Sequence, residues 1–217
     1  MERAEQRERM VARLRASGYI RTDRVAQAML TVPRERFLSA DLQGQAYTDT
    51  PLHIGEGQTI SAPHMVAIMA EALDLRPGHR VLEVGGGSGY HAAVMAELVR
   101  PGGMVYSVER LPNLAATARS NLEAAGYADQ VEMVVADGTL GLPEHAPYDR
   151  ISVAAASPRV PEPLKEQLAE EGMMLVPVGG LFYQELVLVT RHRGRFSTRN
   201  LGGCAFVPLI GEHGNRP

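Results

Sequence analysis

From Arg80 onward the chain alternates two kinds of segment. The short apolar runs "RVLEV", "MVYSVE", "VEMVV" and "DRISVA" read as strands, while "YHAAVMAELV" and "LPNLAATARSNLEAAG", between the first three, carry apolar residues at helical intervals. Runs of this length without polar alternation belong to strands buried on both faces. The alternation therefore predicts an α/β fold, a mostly parallel sheet with helices on both faces. Beyond "EPLKEQLAEEG" come the apolar "MMLVPV" and two more strand candidates, "QELVLVTRH" and "LGGCAFVPLI". These last two lie close enough together to pair as an antiparallel ribbon at the edge of a seven-stranded sheet.

The upstream pattern is different. Residues 2 to 16 are densely charged with Val11 and Leu14 on one side, which predicts a solvated helix with a thin apolar stripe. In "TDRVAQAMLTVP" a second helix is expected, with Thr22 or Asp23 as cap, Val25, Met29 and Val32 on its apolar side, and Pro33 as its stop. Residues 41 to 60 hold Gly44, Pro51, Gly55 and Gly57 and read as a long connection, a feature usually functional in a compact domain. The expected organisation is one domain over residues 1–217, with 1–40 as an N-terminal helical extension and 80–217 as a ligand-binding core.

Composition narrows the function classes. Hydrophobic residues make up 45% and charged residues 22%, as in globular proteins, and the net charge of −3 argues against a broad cationic surface for nucleic acid. The one cysteine, Cys204, excludes an internal disulfide and a multi-cysteine zinc site and fits a reducing compartment. The start, "MERAEQRERMVARLR", is too charged for a signal peptide, and no run approaches the about 18 apolar residues of a membrane span. A cytoplasmic protein is expected, acting on neither nucleic acid nor membranes, as a monomer. The seven histidines show no H-E-x-x-H spacing, so no metal is expected, and no serine sits in G-x-S-x-G.

The chemistry lies in "VLEVGGGSGY". A strand ending in Glu83-Val84, followed by Gly85, Gly86, Gly87, Ser88 and Gly89 and then a helix, puts bare backbone at the carboxyl edge of the sheet, where open α/β sheets bind ligands. The dinucleotide fingerprint would place its third glycine at Tyr90, so a pyrophosphate is disfavoured. Glu109 ends the second strand where an acid would hold ribose hydroxyls, and Asp137-Gly138 ends the third, with a carboxylate suited to an exocyclic adenine amine. Three acids at successive strand ends fit a cationic adenosine-bearing ligand better than a polyphosphate. S-adenosyl-L-methionine, a sulfonium with ribose and adenine, meets each requirement. For each acid alone, helix capping is the competing reading.

The small apolar residues of "VAAASPRVP" argue against the planar-amine grip of base and amide N-methyltransferases. With "PLHIGEGQTISAPHM", "VYSVER", "ADG", "YDRISVAAASPRVPEPLKEQL", "LVPVG" and "FVPL", the chain resembles the protein-L-isoaspartate (D-aspartate) O-methyltransferases over roughly residues 45 to 210. The resemblance implies a Rossmann-like S-adenosylmethionine-dependent methyltransferase fold whose last strands are ordered differently from most methyltransferases. It implies methyl transfer to the α-carboxylate of L-isoaspartyl, and some D-aspartyl, residues in damaged proteins and peptides. The ester then closes spontaneously to a succinimide that reopens partly to aspartate, a repair. Another acceptor on the same scaffold is the alternative. Gly86, Ala154 and Ser157 depart from residues frequent in the family at those positions.

By the resemblance Ser61 is the catalytic residue, and Thr59, Ile60, Ser61 and His64 join Glu83, Gly85, Gly87, Glu109, Asp137 and Gly138 as residues that bind the donor. An acceptor carboxylate, with a reference pKa of about 4, is already ionised at neutral pH, so no general base is needed. The Ser61 hydroxyl can orient it. Physically, Ser61 before Ala62-Pro63 also reads as a helix N-cap, a role compatible with the first.

Overall fold

The computed structural model describes residues 2–180 and 183–216. Helices α1 (Arg3–Ala16) and α2 (Asp23–Thr31) open the chain. Thr22 caps α2 by accepting the Val25 N–H at 3.3 Å, and the helix ends before Pro33. Within the long connection lies a short hairpin of β1 (Leu52–Gly55) and β2 (Gln58–Ile60). Its turn residues Glu56 and Gly57 both have positive φ, +53° and +69°, the conformation of a tight two-residue hairpin turn. Strands this short carry too few residues to show a period, which is why the sequence reads as loop.

There follow α3 (Pro63–Leu73), β3 (Arg80–Val84), α4 (Tyr90–Val99), β4 (Met104–Glu109), α5 (Pro112–Ala125), β5 (Val131–Val135), β6 (Tyr148–Val153), α6 (Glu162–Glu166), β7 (Leu168–Gly179), β8 (Gln184–His192) and β9 (Arg195–Cys204). The seven-stranded sheet runs β5-β4-β3-β6-β7-β8-β9, parallel through β7 and antiparallel for β8 and β9. This is the expected α/β architecture.

Two elements depart from the sequence reading. Strand β7 starts at Leu168, five residues before "MMLVPV", because Gln167 is locked to the 140–142 turn by hydrogen bonds to the Leu140 carbonyl and from the Leu142 N–H, both 2.8 Å. A register irregularity between Tyr148 and Arg150 of β6 absorbs the extra residues. The last strand begins at Arg195, earlier than "LGGCAFVPLI", and that segment's second half leaves the sheet. Residues 195–200 are exposed on both faces, so the edge strand has no apolar signal, whereas Leu209 is buried against the site.

Covering of the sheet is unequal. Val81, Val105, Val131 and Met133 face α1 to α5 in one cluster that includes Met10, Leu14, Met29 and Phe37. Leu82, Val84, Val108, Ile151 and Val153 face the other way, under single-turn 3-10 segments, the five-residue α6 and Leu209. Alternation along β3 thus puts Glu83 on the helix-covered face and Val84 on the opposite one. Fully buried Arg34 fastens the entry segment: its Nε donates to the Ala46 carbonyl at 2.9 Å and its guanidinium lies 4.9 Å over the Tyr90 ring.

Met29, with no exposed surface, joins α2 to that larger cluster. Met29→Ala is expected to lower the unfolding free energy by about 2–5 kcal/mol, read as a reduced urea midpoint at constant slope. A loss below about 0.5 kcal/mol would show that α2 does not share the core.

Candidate active site

The glycine turn is built by backbone hydrogen bonds and one carboxylate. The N–H groups of Gly85 and Gly86 both donate to the Val108 carbonyl, at 2.8 and 3.1 Å. Gly85, Gly87 and Gly89 take positive φ, which explains the glycines. At Gly86 the reason is space, since a Cβ would stand 2.5 Å from Ser107 Oγ and 2.9 Å from Met133 Cε. That crowding accounts for the glycine at this position. Gly138 is under the same constraint from Val84, 2.5 Å from a Cβ.

Glu109, 6% exposed, reaches across from the end of β4. One carboxylate oxygen accepts the Gly87 N–H and the other the Leu111 N–H, each at 3.0 Å. Both oxygens keep a lone pair for a ligand. Glu109, Gly85, Gly87, Gly138 and Thr59 line a cleft at the carboxyl edge of the sheet with about 520 Å³ of free space, counting its open mouth. Another wall is Val207 to Ile210, part of the stretch expected as strand.

A wider cavity, about 1380 Å³ by the same measure, opens beside it, lined by Ser61, His64, Met65, Cys204 and Phe206. Thr59 and Ala154 border both spaces, so the two meet there. Burial and then the charge of Glu185 push the Cys204 thiol up to about 11, leaving it protonated and unreactive at neutral pH. Under the glycine turn a third, smaller space is bounded by Ile60, Ser61, Glu83 and His91.

Ser61 is not the helix cap. The N-cap position of α3 falls to Ala62, which offers no side-chain bond, and the acceptor is Asp49, fifteen residues upstream of His64. One Asp49 oxygen takes the His64 N–H at 2.8 Å and lies 2.9 Å from His64 Nδ1. The helix terminus is thereby satisfied from the long connection, and Ser61 is left to face the cavities. Sequence reasoning missed Asp49 because capping from such a distance has no local spacing to reveal it.

Asp137 is placed differently from the other acids. It does not line the cleft. Its oxygens accept the Thr139 N–H and hydroxyl, at 2.9 and 2.7 Å, and the Glu212 N–H at 2.8 Å. These bonds tie the end of β5 to the C-terminal segment, which is also held where the Leu209 N–H and Asn215 Nδ2 donate to the Ala156 carbonyl at 2.8 and 2.9 Å. Partial burial raises the Asp137 pKa, but the bonds from Glu212 and Thr139 outweigh it and hold the carboxyl below its ordinary value. Of the residues named from sequence, the structure brings Thr59, Gly85, Gly87, Glu109 and Gly138 to the cleft, Ile60 and Glu83 to the space beneath the turn, Ser61 and His64 to the wide cavity.

Because the folded pKa of Asp137 is depressed, its contribution to stability is present above the unfolded carboxylate value, about 4, and is lost as pH falls through the folded one. Asp137→Asn is therefore expected to be less stable than the wild type at pH 7, with the gap closing in urea titrations toward pH 3. A gap independent of pH would contradict the bonding to Glu212 and Thr139.

The chain matches a known family over nearly its whole length. The family model described as protein-L-isoaspartate(D-aspartate) O-methyltransferase matches residues 5–214. A protein-L-isoaspartate O-methyltransferase of Methanopyrus kandleri is 61% identical over 209 residues, covering 96% of this chain and 92% of that protein. Among solved structures, a chain titled protein-L-isoaspartate O-methyltransferase superposes with a TM-score of 0.87 at 34% identity, over 96% of this chain and 67% of that one. Another, titled as such a methyltransferase from Plasmodium falciparum in complex with S-adenosyl-L-homocysteine, gives 0.85 at 29% identity, over 94% and 98%. By sequence over nearly its whole length and by fold, the chain belongs to the protein-L-isoaspartate(D-aspartate) O-methyltransferase family.

Proposed function

We propose that this chain transfers the methyl group of S-adenosyl-L-methionine to the α-carboxylate of L-isoaspartyl, and some D-aspartyl, residues in damaged proteins and peptides. The observation that carries the proposal is the junction at Thr59 and Ala154, where an acid-edged cleft meets a wider cavity beside Ser61. The residues fit such a donor: glycines leave the turn bare, Glu109 keeps free lone pairs, and Glu83 Oε1 is buried without a hydrogen-bond partner. When bound, the donor supplies an electrophilic methyl group on a sulfonium.

The chain's own residues then have simple tasks. Glu109 accepts from vicinal hydroxyls, and Gly85, Gly87 and Gly138 let a planar base and a ribose approach the main chain. Thr59 and Ile60 hold the donor mainly through backbone, and His64, fixed by Asp49, shapes the wall between donor and acceptor. Asp137 acts from behind, by securing the wall formed by Val207 to Ile210. Ser61 Oγ donates to the acceptor carboxylate and fixes its line of approach, and Met65 and Phe206 exclude water. Such alignment in a dry site lowers a displacement barrier by roughly 7–11 kcal/mol.

The proposal includes action as a monomer, with residues 1–40 an extension of one catalytic domain. The net charge of −3 favours protein over nucleic acid as partner, and the single cysteine favours the cytoplasm. Among the described residues no helix is long and apolar enough to cross a membrane. The one candidate metal cluster there, Glu170, Glu171 and His192, is exposed and shares no residue with the lining of the site.

With labelled donor, an isoaspartyl peptide is expected to be methylated and its aspartyl counterpart not. Equal, background-level labelling would overturn the proposal, and labelling of another acceptor alone would point to the same scaffold serving a different substrate. Ser61→Ala should lower kcat about 10- to 100-fold, one charge-assisted hydrogen bond, with an unchanged melting midpoint because Ser61 caps nothing. A fall in stability with kinetics intact would return Ser61 to a structural role. Glu109→Ala should raise the donor KM more than it lowers kcat, since hydroxyl binding is alike in ground and transition states; lost turnover at unchanged donor affinity would remove Glu109 from the ribose.

A further inference from the structure

Glu83 is the next-to-last residue of β3 and has no exposed surface. Its neighbours along the strand, Val81, Leu82 and Val84, are apolar and equally buried. Its register partners are polar: Ser107 in β4 donates to Oε2 at 2.5 Å, and Ser152 in β6 has a buried hydroxyl with no partner. From α4, His91, 11% exposed, sets Nδ1 3.4 Å from Glu83 Oε1, and its Nε2 is buried without a partner. Glu83 Oε1 itself has no hydrogen bond.

Such a cluster is costly. A buried carboxylate needs a full set of partners, and an apolar residue of similar volume would serve stability as well or better. Glu83 and His91 both border the small space beneath the glycine turn, which Thr59 and Ser61 also reach. That space adjoins the cleft along Gly85 and Gly87. Its chemistry, a buried carboxyl oxygen without a partner, suits a ligand group that brings N–H donors.

We propose that His91 is a positioning residue for the donor: packed with Nδ1 3.4 Å from Glu83 Oε1, it fixes the carboxyl group with which Glu83 recognises the ammonium of the donor's amino-acid end. This rests on the reading of the cleft as a donor site. His91 lies outside the glycine motif and touches no part of the acceptor cavity. Its conservative replacement by Gln keeps an N–H that can reach the same oxygen, and Phe keeps the volume without it.

The test is calorimetric binding of S-adenosyl-L-homocysteine and of its analogue lacking the α-amino group, to the wild type, Glu83→Gln, His91→Phe and His91→Gln. The wild type should prefer the amino-bearing compound about 10- to 100-fold, as for one charge-assisted bond. Glu83→Gln should abolish most of that preference, His91→Phe should reduce it at least about fivefold, and His91→Gln should restore most of it. If His91→Phe weakens both compounds equally, or neither, the preference is unchanged, His91 only packs, and the inference fails. The same holds if the wild type binds both compounds alike, with the donor site itself left standing. Failure of the wild type to bind either compound would overturn the donor reading and this inference together. Should Glu83→Gln not fold, the His91 pair carries the comparison alone.

Discussion

The carboxylate of Glu109 holds the end of β4 to the glycine turn that follows β3, and the cleft exists because of that bridge. A turn with positive φ at Gly85, Gly87 and Gly89 has little conformational preference of its own. Its shape comes from outside, from the Val108 carbonyl accepting two N–H groups and from Glu109 accepting a third. Parallel pairing of β3 with β4, in register from Arg80 with Met104 to Val84 with Val108, brings those acceptors to the turn. The same bonds leave lone pairs of Glu109 free at the cleft, so the group that builds the site is also equipped to use it.

Around this point the two faces of the sheet divide the labour. The helix-covered face bears the main core and, at its centre, the polar group of Glu83, Ser107 and His91. The thinly covered face is completed by the C-terminal segment, pinned through Asp137, Thr139 and Ala156. An acid at a strand end can thus act as a ligand or as a fastening, and burial alone does not tell which. Glu109 ends β4 and Asp137 follows the end of the adjacent β5, yet the first faces the cleft and the second accepts a backbone N–H 75 residues on in the chain.

Much of this was legible in the order of residues. The boundaries of α4, β3, β4 and β5 follow apolar runs and glycines closely, because elements buried on both sides show little else. The β1–β2 hairpin was hidden by its shortness and the first part of β9, residues 195–200, by its exposure, since a strand that buries neither face leaves no hydrophobic signature. Ser61 shows the same limit in the site. A serine before Ala-Pro reads locally as a cap, but a cap is needed only if nothing else satisfies the helix, and Asp49 does so.

What the amino-acid order determined by itself was everything carried by neighbours in the chain: strand and helix periods, the backbone freedom of the glycines, and the placing of acids at strand ends. Which side-chain oxygens face the ligand space was settled only when the chain folded. Asp49 reaching α3 and Glu212 reaching Asp137 are each a competition among partners brought together by packing. A buried polar atom bonds to whatever lies within about 3 Å of it, and sequence spacing does not encode that distance across elements.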